Sequence, residues 1–378
     1  MMLDTHLRIE KINGPSELRA FIHLPASIYE NIPRWVPPLY VDEYQFHDPL
    51  KNPAYKDAVT EKWIVYRKNL AVGRIMGIIH HAYNRIHKEK TARFFQMDCI
   101  DDPAVASLLI KTVEAWAREH GMDKLIGPFG FSDKDPQGFQ VQGLEHLPVI
   151  ATPSNPAYMP ALLASLGYEK YIDCVSYRIP IPEQLPALYE RILGRIGRNP
   201  KLQLLEFKSR KALKPYIVPV FQLINETYTP LFGFVPMSDA EIQKMAKQYL
   251  PILNPSFVKA MIDENGNLLS FVVAMPDLSM GLQKAKGKLF PFGLFHIFSA
   301  MRKSKQLNLL LGAVKEKYRG KGLDVYMAMA LIQSASARGM THMDSHLILE
   351  TNTTMRAECE KLGGELYKRF RIFQKQLI

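Results

Sequence analysis

Residues 315–324 read KEKYRGKGLD. Gly320 and Gly322 sit among basic side chains, directly after the apolar run LNLLLGAV (307–314) and directly before the periodic stretch VYMAMALIQSASARG (325–339). The order predicts a strand, a basic turn and a helix. The first turn of a helix has unsatisfied N–H donors, and its dipole favours negative charge there, so such a junction is a ready anion site. Gly320 and Gly322 let the backbone approach a ligand closely, and Arg319 and Lys321 add positive charge. The same residues suit an ordinary surface turn, and both readings stand at this point. Asp324 puts a negative charge where an anion is expected, although Asp is also a good helix N-cap. Other phosphate loops do not fit: GxxxxGK[ST] is absent, and position 325 is Val where GxGxxG needs its third Gly.

Outward from the turn, the sequence says the same thing twice. A helical stretch leads into Arg34–Pro38 (RWVPP), and another into Gly233–Met237 (GFVPM). A strand pair follows each: KWIVYRKNLAVGRIMGII turns near Lys68-Asn69, and FVKAMIDENGNLLSFVVAM turns at Asn265-Gly266, a strong hairpin signal. Then come a third strand and a long helix, stopped by Gly121 in one case and Gly339 in the other. Each half continues with an Asn, a short helix and a Gly (Asn155 to Gly167, Asn352 to Gly364), and a final strand is expected to close each half, CVSYRIPI and RFRIFQKQLI. Two insertions disturb the spacing, at 127–147 and 281–305. The pattern predicts two α+β domains of like topology, with one large α/β domain as the alternative.

The segment Val314–Leu323 resembles the acyl-CoA pyrophosphate loop of the GNAT superfamily, the GCN5-related N-acetyltransferases, written (Q/R)xxGx(G/A). Arg319, Gly322 and position 324 fall on its fixed places, and Asp324 departs from the expected Gly or Ala. Asn352 through Gly363 resembles the family's NxxAxxxYxxxG segment, with Cys359 where many relatives carry a tyrosine acid. The likeness covers residues 202–378 and, more weakly, 8–180, where Cys99–Pro103 stands in place of the loop. GFVPMS, LFPFG, YRGKGLD and the Gly127–Ser132 loop are similar to a bacterial tandem-GNAT group, with which the resemblance places the bacterial ceramide synthases.

The resemblance implies two tandem acyl-CoA N-acyltransferase (GNAT)-like domains, each a mixed, mainly antiparallel sheet flanked by helices. Residues 1–181 form an N-terminal domain without a recognisable CoA loop, 182–201 a linker, and 202–378 a C-terminal domain with the loop. It implies acyl-CoA or acetyl-CoA as co-substrate, held by Val314, Lys315, Arg319, Gly320, Lys321, Gly322, Leu323 and Asp324, and no metal. The expected reaction moves an acyl group to an amine, with a long-chain or sphingoid-base amine at a membrane surface among the acceptors. A catalytically inactive GNAT-fold module that binds an anionic ligand or lipid surface is the alternative.

Acyl transfer needs a neutral amine and protonation of the leaving thiolate, so a base near neutral pKa is expected. His342, Asp344 and His346 alternate along a short strand and are expected on one face, with His346 or Asp344 as base. The His-x-Asp-x-His spacing also reads as a metal set, although residues on a single strand rarely converge on an ion. A thiol with an ordinary pKa near 8.5 makes Cys359 a candidate acid, and free Cys is as often simply buried. Asn352 completes the candidate catalytic set. Asp133 and Asp135 read as part of a plain loop or of a cleft wall shared by the halves.

The 378 residues carry a formal charge of +11, which favours an anionic partner. Nucleic acid is the weaker form of that partner, since no helix-turn-helix or basic-aromatic RNP motif occurs. Three cysteines without CxxC spacing indicate neither a disulfide framework nor structural zinc. No apolar leader or run of roughly 18 apolar residues is visible, so a cytoplasmic protein is expected, peripheral to the inner membrane face. The second insertion, GLQKAKGKLFPFGLFHIFSAMRKSK (281–305), sets an aromatic patch between basic clusters. It suits contact with an anionic membrane, or an apolar lid over the core or the other half.

Overall fold

The computed structural model describes residues 6–182 and 187–377. The first half runs β1 (Leu7–Lys11), α1 (Pro15–Ile28), α2 (Tyr40–Phe46), β2 (Ala58–Arg67), β3 (Leu70–His80), α3 (His81–His87), β4 (Thr91–Cys99), α4 (Pro103–Glu119), β5 (Lys124–Gly127), β6 (Phe139–Gln142), α5 (Met159–Ser165) and β7 (Glu169–Pro180). The second half opens with α6 (Ala187–Gly197), β8 (Leu202–Glu206), α7 (Arg210–Leu213), α8 (Ile217–Tyr228), α9 (Asp239–Tyr249), β9 (Val258–Asp263) and β10 (Leu268–Pro276). It continues with α10 (Ser279–Ala285), α11 (Gly293–Lys303), β11 (Gln306–Val314), α12 (Leu323–Ser336), β12 (His342–Asp344), β13 (Ile348–Leu349), α13 (Thr353–Lys361) and β14 (Glu365–Gln376). The repeated order read from the sequence is present element by element. In the β9–β10 turn, the Asp263 carboxylate accepts from the N–H groups of Asn265 and Asn267, and Gly266 takes φ +79°.

One sheet spans the molecule in the order β1-β2-β3-β4-β5-β14-β7-β12-β11-β10-β9-β8. Here the structure departs from expectation. β7 does not close the first half; it pairs with β12 and β13 of the second. β14 pairs with β5 of the first half, and β7 and β14 pair antiparallel with each other. The halves have exchanged their last strands, so a division at the expected linker 182–201 leaves β7 with the first half although it pairs with the second half's strands, and β14 with the second although it pairs with β5. Backbone pairing does not distinguish two closing strands of similar alternation. Across the seam Asp173 on β7 accepts from Arg371 Nε at 2.9 Å and Nη2 at 3.0 Å, and from Arg369 Nη1 at 3.1 Å, both on β14.

The expected linker is also structured. α6 occupies most of it and packs Ile196 against Leu323 and Met327 of α12, so it belongs to the second half. Each half covers both faces of its sheet. In the first, α4 lies over one core (Leu109, Val113, Phe94) and α1 over another (Phe21, Ile22, Met76). In the second, α12 and α8 play the same parts.

Both insertions bind the halves together. In the first, Asp133 N–H donates to Gly233 O, and Lys134 Nζ donates to Val235 O at 3.1 Å and lies 4.6 Å from the Phe234 ring centre. Gly233 has φ +77°, and a Cβ there would meet Phe129 Cζ at 2.3 Å, which explains the glycine in GFVPM. Segment 127–147 is therefore an inter-half contact, not a plain loop, and burial pushes the Asp135 carboxyl up to about 6. The second insertion folds as α10 and α11. Its Gly287 O accepts from Tyr40 N–H, and Gln283 Nε2 donates to Pro33 O at 2.8 Å.

Candidate active site

Strand β11 is paired with β10 from Leu307 to Val314, apart from Leu310. On its other edge it pairs with β12 at only three positions: Gln306 with His342, Leu307 with Met343 and Asn308 with Asp344. The β10–β11 register shifts between Val273 and Ala274, so that Leu310 bulges out of the ladder. Beyond Asn308 the two parallel strands part, leaving a fork whose β11 side is an edge without a partner strand among the described residues; on it Gly312 O accepts from the Tyr228 hydroxyl at 2.7 Å and Val314 O from Arg319 Nε at 3.4 Å.

The turn 315–324 stands at the far end of β11. A single turn of 3-10 helix covers Glu316–Tyr318, Gly320 takes φ +69°, and Gly322 takes φ +87° as the N-cap of α12. Both glycines occupy the left-handed region, which other residues adopt at a cost. Leu323 is buried against Ile196, Leu269 and Met327 and pins the turn to the core. Among the described residues the N–H groups of Gly320, Gly322, Leu323 and Asp324 have no intramolecular partner. Arg319 and Lys321 are exposed beside them, and a Cβ at Gly320 would meet nothing within 4 Å. Val314 and Lys315 lead in, with Lys315 N–H held by Leu269 O at 2.8 Å. Asp324 is not the N-cap. It lies in the first turn, exposed, with its carboxylate accepting from Val325 N–H at 2.9 Å.

The apex of the fork is a buried polar cluster. Asp344, fully buried, accepts from the Tyr367 hydroxyl and from His346 N–H at 2.6 Å. Burial and Asp344 together push the Tyr367 phenol far up. Asn308, also fully buried, donates to Asp277 Oδ1 at 3.1 Å and accepts from Gln306 Nε2 at 2.7 Å. Lys368 is 1% exposed; its ammonium donates to Leu147 O at 2.7 Å, and burial holds its pKa below the ordinary lysine range.

His346 does not continue the alternation. The strand ends at Asp344, and His346 adopts φ +57°, so His342, Asp344 and His346 do not share one strand face. Among the described residues no group of His, Cys, Asp and Glu side chains is placed to hold a metal ion. His346 Nε2 lies 2.9 Å from Ile150 O. A carbonyl only accepts, so Nε2 carries the proton and Nδ1 keeps its lone pair. Burial lowers the His346 pKa, so the ring is neutral near pH 7. His342 instead ties Thr341 to Gln306.

The other two candidates lie elsewhere. Cys359 is 1% exposed among Tyr177, Ile179 and Leu331, and burial pushes its thiol up to about 12. The expected thiol acid is a core side chain. Asn352 caps α13, accepting from Met355 N–H at 3.1 Å. Nothing in the sequence singles out Tyr367, Lys368, Asn308 or Asp277. A bulge in β14 between Leu366 and Lys368 breaks the strand's simple alternation there.

No known family model matches the chain. Protein YghO of Escherichia coli K12 is 26% identical over 370 residues, covering 96% of this chain and 93% of that protein. The bacterial ceramide synthase of Caulobacter vibrioides is 26% identical over 379 residues, 98% of each. A tandem GNAT protein from the clavulanic acid biosynthesis pathway superposes over 99% of both chains with a TM-score of 0.54 at 14% identity. The chain has the tandem GNAT fold.

Within this tandem GNAT fold the two halves are not equivalent as anion sites. Where the second half has its glycine turn, the first has Asp102 capping α4. The Asp102 carboxylate accepts from Ala104 N–H at 2.8 Å and Val105 N–H at 3.4 Å and is paired with Arg67. An internal carboxylate already takes the place that an anion would need.

Proposed function

We propose that the protein is an acyl-CoA-dependent N-acyltransferase, working in the second half of its tandem GNAT fold. The observation that carries this reading is the fork: β11 and β12 part after Asn308 and Asp344, and the open edge of β11 leads to the glycine turn. The turn supplies N–H donors, a helix N-terminus and the Arg319 and Lys321 charges for the CoA pyrophosphate. Along this edge of β11 an extended pantetheine arm would take the backbone groups that Tyr228 and Arg319 leave open, or displace those two side chains from Gly312 O and Val314 O. The thioester then lies toward the apex.

There the amine nitrogen attacks the thioester carbonyl carbon, a C–N bond forms and the C–S bond breaks. His346 Nδ1 accepts the proton lost by the amine. The thiolate departs and takes up a proton from water, and His346 gives the proton it accepted back to water, so the products are an amide and free CoA thiol and the base is restored. Asp344 holds His346 by its N–H, and Lys368 fastens Leu147 of the first half over the site. Positioning supplies much of the rate in such transfers.

Two observations support a long-chain amine as acceptor: the name of the Caulobacter relative, and the apolar cluster beside the fork, where Leu278, Leu310 and Ile297 meet Ile150. Incubation with acyl-CoA and a panel of amines, followed by detection of free thiol, tests the proposal. Amine-dependent thiol release is expected, greater with long-chain amines than with short ones. No release with any amine would sink it. Asp324 favours one competing reading, a non-catalytic anion-binding module; that protein binds CoA and releases no thiol.

A further inference from the structure

The α10–α11 segment, 281–305, carries a feature that acyl transfer does not require. Phe290 is 75% exposed, Phe292 68%, Phe295 70% and Phe298 49%. Phe295 and Phe298 lie on the outer side of α11, while Gly293 and Ile297 are buried on its inner side. The inner side is already packed, against Leu278, Leu282 and Leu310, so the outer rings are surplus to the core. Exposed clusters of large apolar rings mark interaction surfaces.

We propose that this surface docks on an anionic lipid bilayer. Lys284, Lys286 and Lys288 stand before the aromatic stretch and Arg302, Lys303 and Lys305 after it, all exposed, and 281–305 contains no Asp or Glu. Rings that enter the headgroup boundary, bordered by cations at the level of the lipid phosphates, are the chemistry of an interfacial anchor. The same charges argue against a second copy of this chain as the occupant, because a two-fold contact would set one basic cluster against the other. Among the described residues no helix is long and apolar enough to cross a membrane, so the contact is with one face of a bilayer.

A cavity of about 510 Å³ opens beside the patch, between α2 and residues 287–290. Tyr40, Val41, Tyr44, Leu289 and Phe290 line it, with Lys51 also present. Tyr44 and Val41 are themselves partly exposed, so the aromatic surface continues from the second half onto the first. At the base of the segment, Asp277 bonds both Ser279 of α10 and Asn308 at the fork apex. The docking surface and the proposed acyl site are thus joined through one side chain.

Docking is testable without catalysis. Full-length protein is mixed with extruded phosphatidylcholine vesicles, with or without phosphatidylglycerol, and sedimented. Binding is expected to the anionic vesicles and to fall as salt rises. The Phe292→Ser/Phe295→Ser double variant, changed at exposed positions only, should bind about tenfold more weakly. Equal binding to both vesicle types, or unchanged binding by the variant, overturns the proposal. So does a concentration-dependent dimer in light scattering that the same substitutions abolish. Thiol release measured with a short-chain acyl-CoA and no vesicles reads the acyltransferase proposal separately.

Discussion

Asn308 on β11 and Asp344 on β12 are the last residues that join these two parallel strands, and both are fully buried. Asn308 is bonded to Asp277 at the base of α10, and Asp344 to Tyr367 on β14. The point where the sheet opens is thereby held from both sides, and the proposed chemistry is placed there.

His346 is the proposed base, and it acts only when neutral. Burial lowers its pKa, so activity is expected to hold across neutral pH and to fall on an acid limb below about 6.5. His346→Asn suits the left-handed backbone at this position. The variant should lose about a hundredfold in kcat and lose that acid limb, while CoA binding is unchanged. An acid limb that persists in the variant assigns the base to another group.

Asp324 sets charge near the proposed anion at the cost of affinity, but it also stabilises the first turn of α12. Asp324→Asn should tighten CoA binding several-fold and lower stability by about 0.5 kcal/mol, because the helix dipole loses its negative partner. Calorimetry and thermal unfolding read the two effects separately. Unchanged affinity would place the pyrophosphate away from this residue.

Asp173 ties the exchanged strands. Burial alone would raise its pKa, but Arg371, Arg369 and Lys170 outweigh burial and hold the carboxyl below its ordinary value. A depressed folded pKa contributes stability above the unfolded value, about 3.9, and that contribution is lost as pH falls through the folded pKa. Asp173→Asn should cost about 1.5 kcal/mol at pH 7, because the amide keeps one acceptor but loses the charge facing the part-exposed Arg371 and Arg369, and the difference from wild type should shrink below about pH 4. Denaturant unfolding at pH 7 and pH 3 measures it.

The strands, helices and turn of the second half were legible because they are local. Apolar periodicity, the Asn265-Gly266 turn and the Arg319–Gly322 spacing are each written within a few residues. The strand exchange was not legible, since β7 and β14 show the same alternation whichever half they complete. The proposed base sits after a bend that sequence alternation hides: the strand stops at Asp344, so His346 turns toward Ile150 instead of facing with His342. Cys359 sits at the tyrosine position of the resembled segment, yet only packing shows that its thiol lies in the core. Lys368 was missed because its partner, Leu147, is contributed by the other half.

CoA is proposed to sit on the turn 319–324, and titration calorimetry measures that binding. Wild-type protein titrated with CoA should give saturable binding, and the Arg319→Ala/Lys321→Ala variant should bind at least about tenfold more weakly with its unfolding temperature unchanged. No heat of binding at millimolar CoA, or equal affinity in the folded variant, would mean that this turn is not the CoA site.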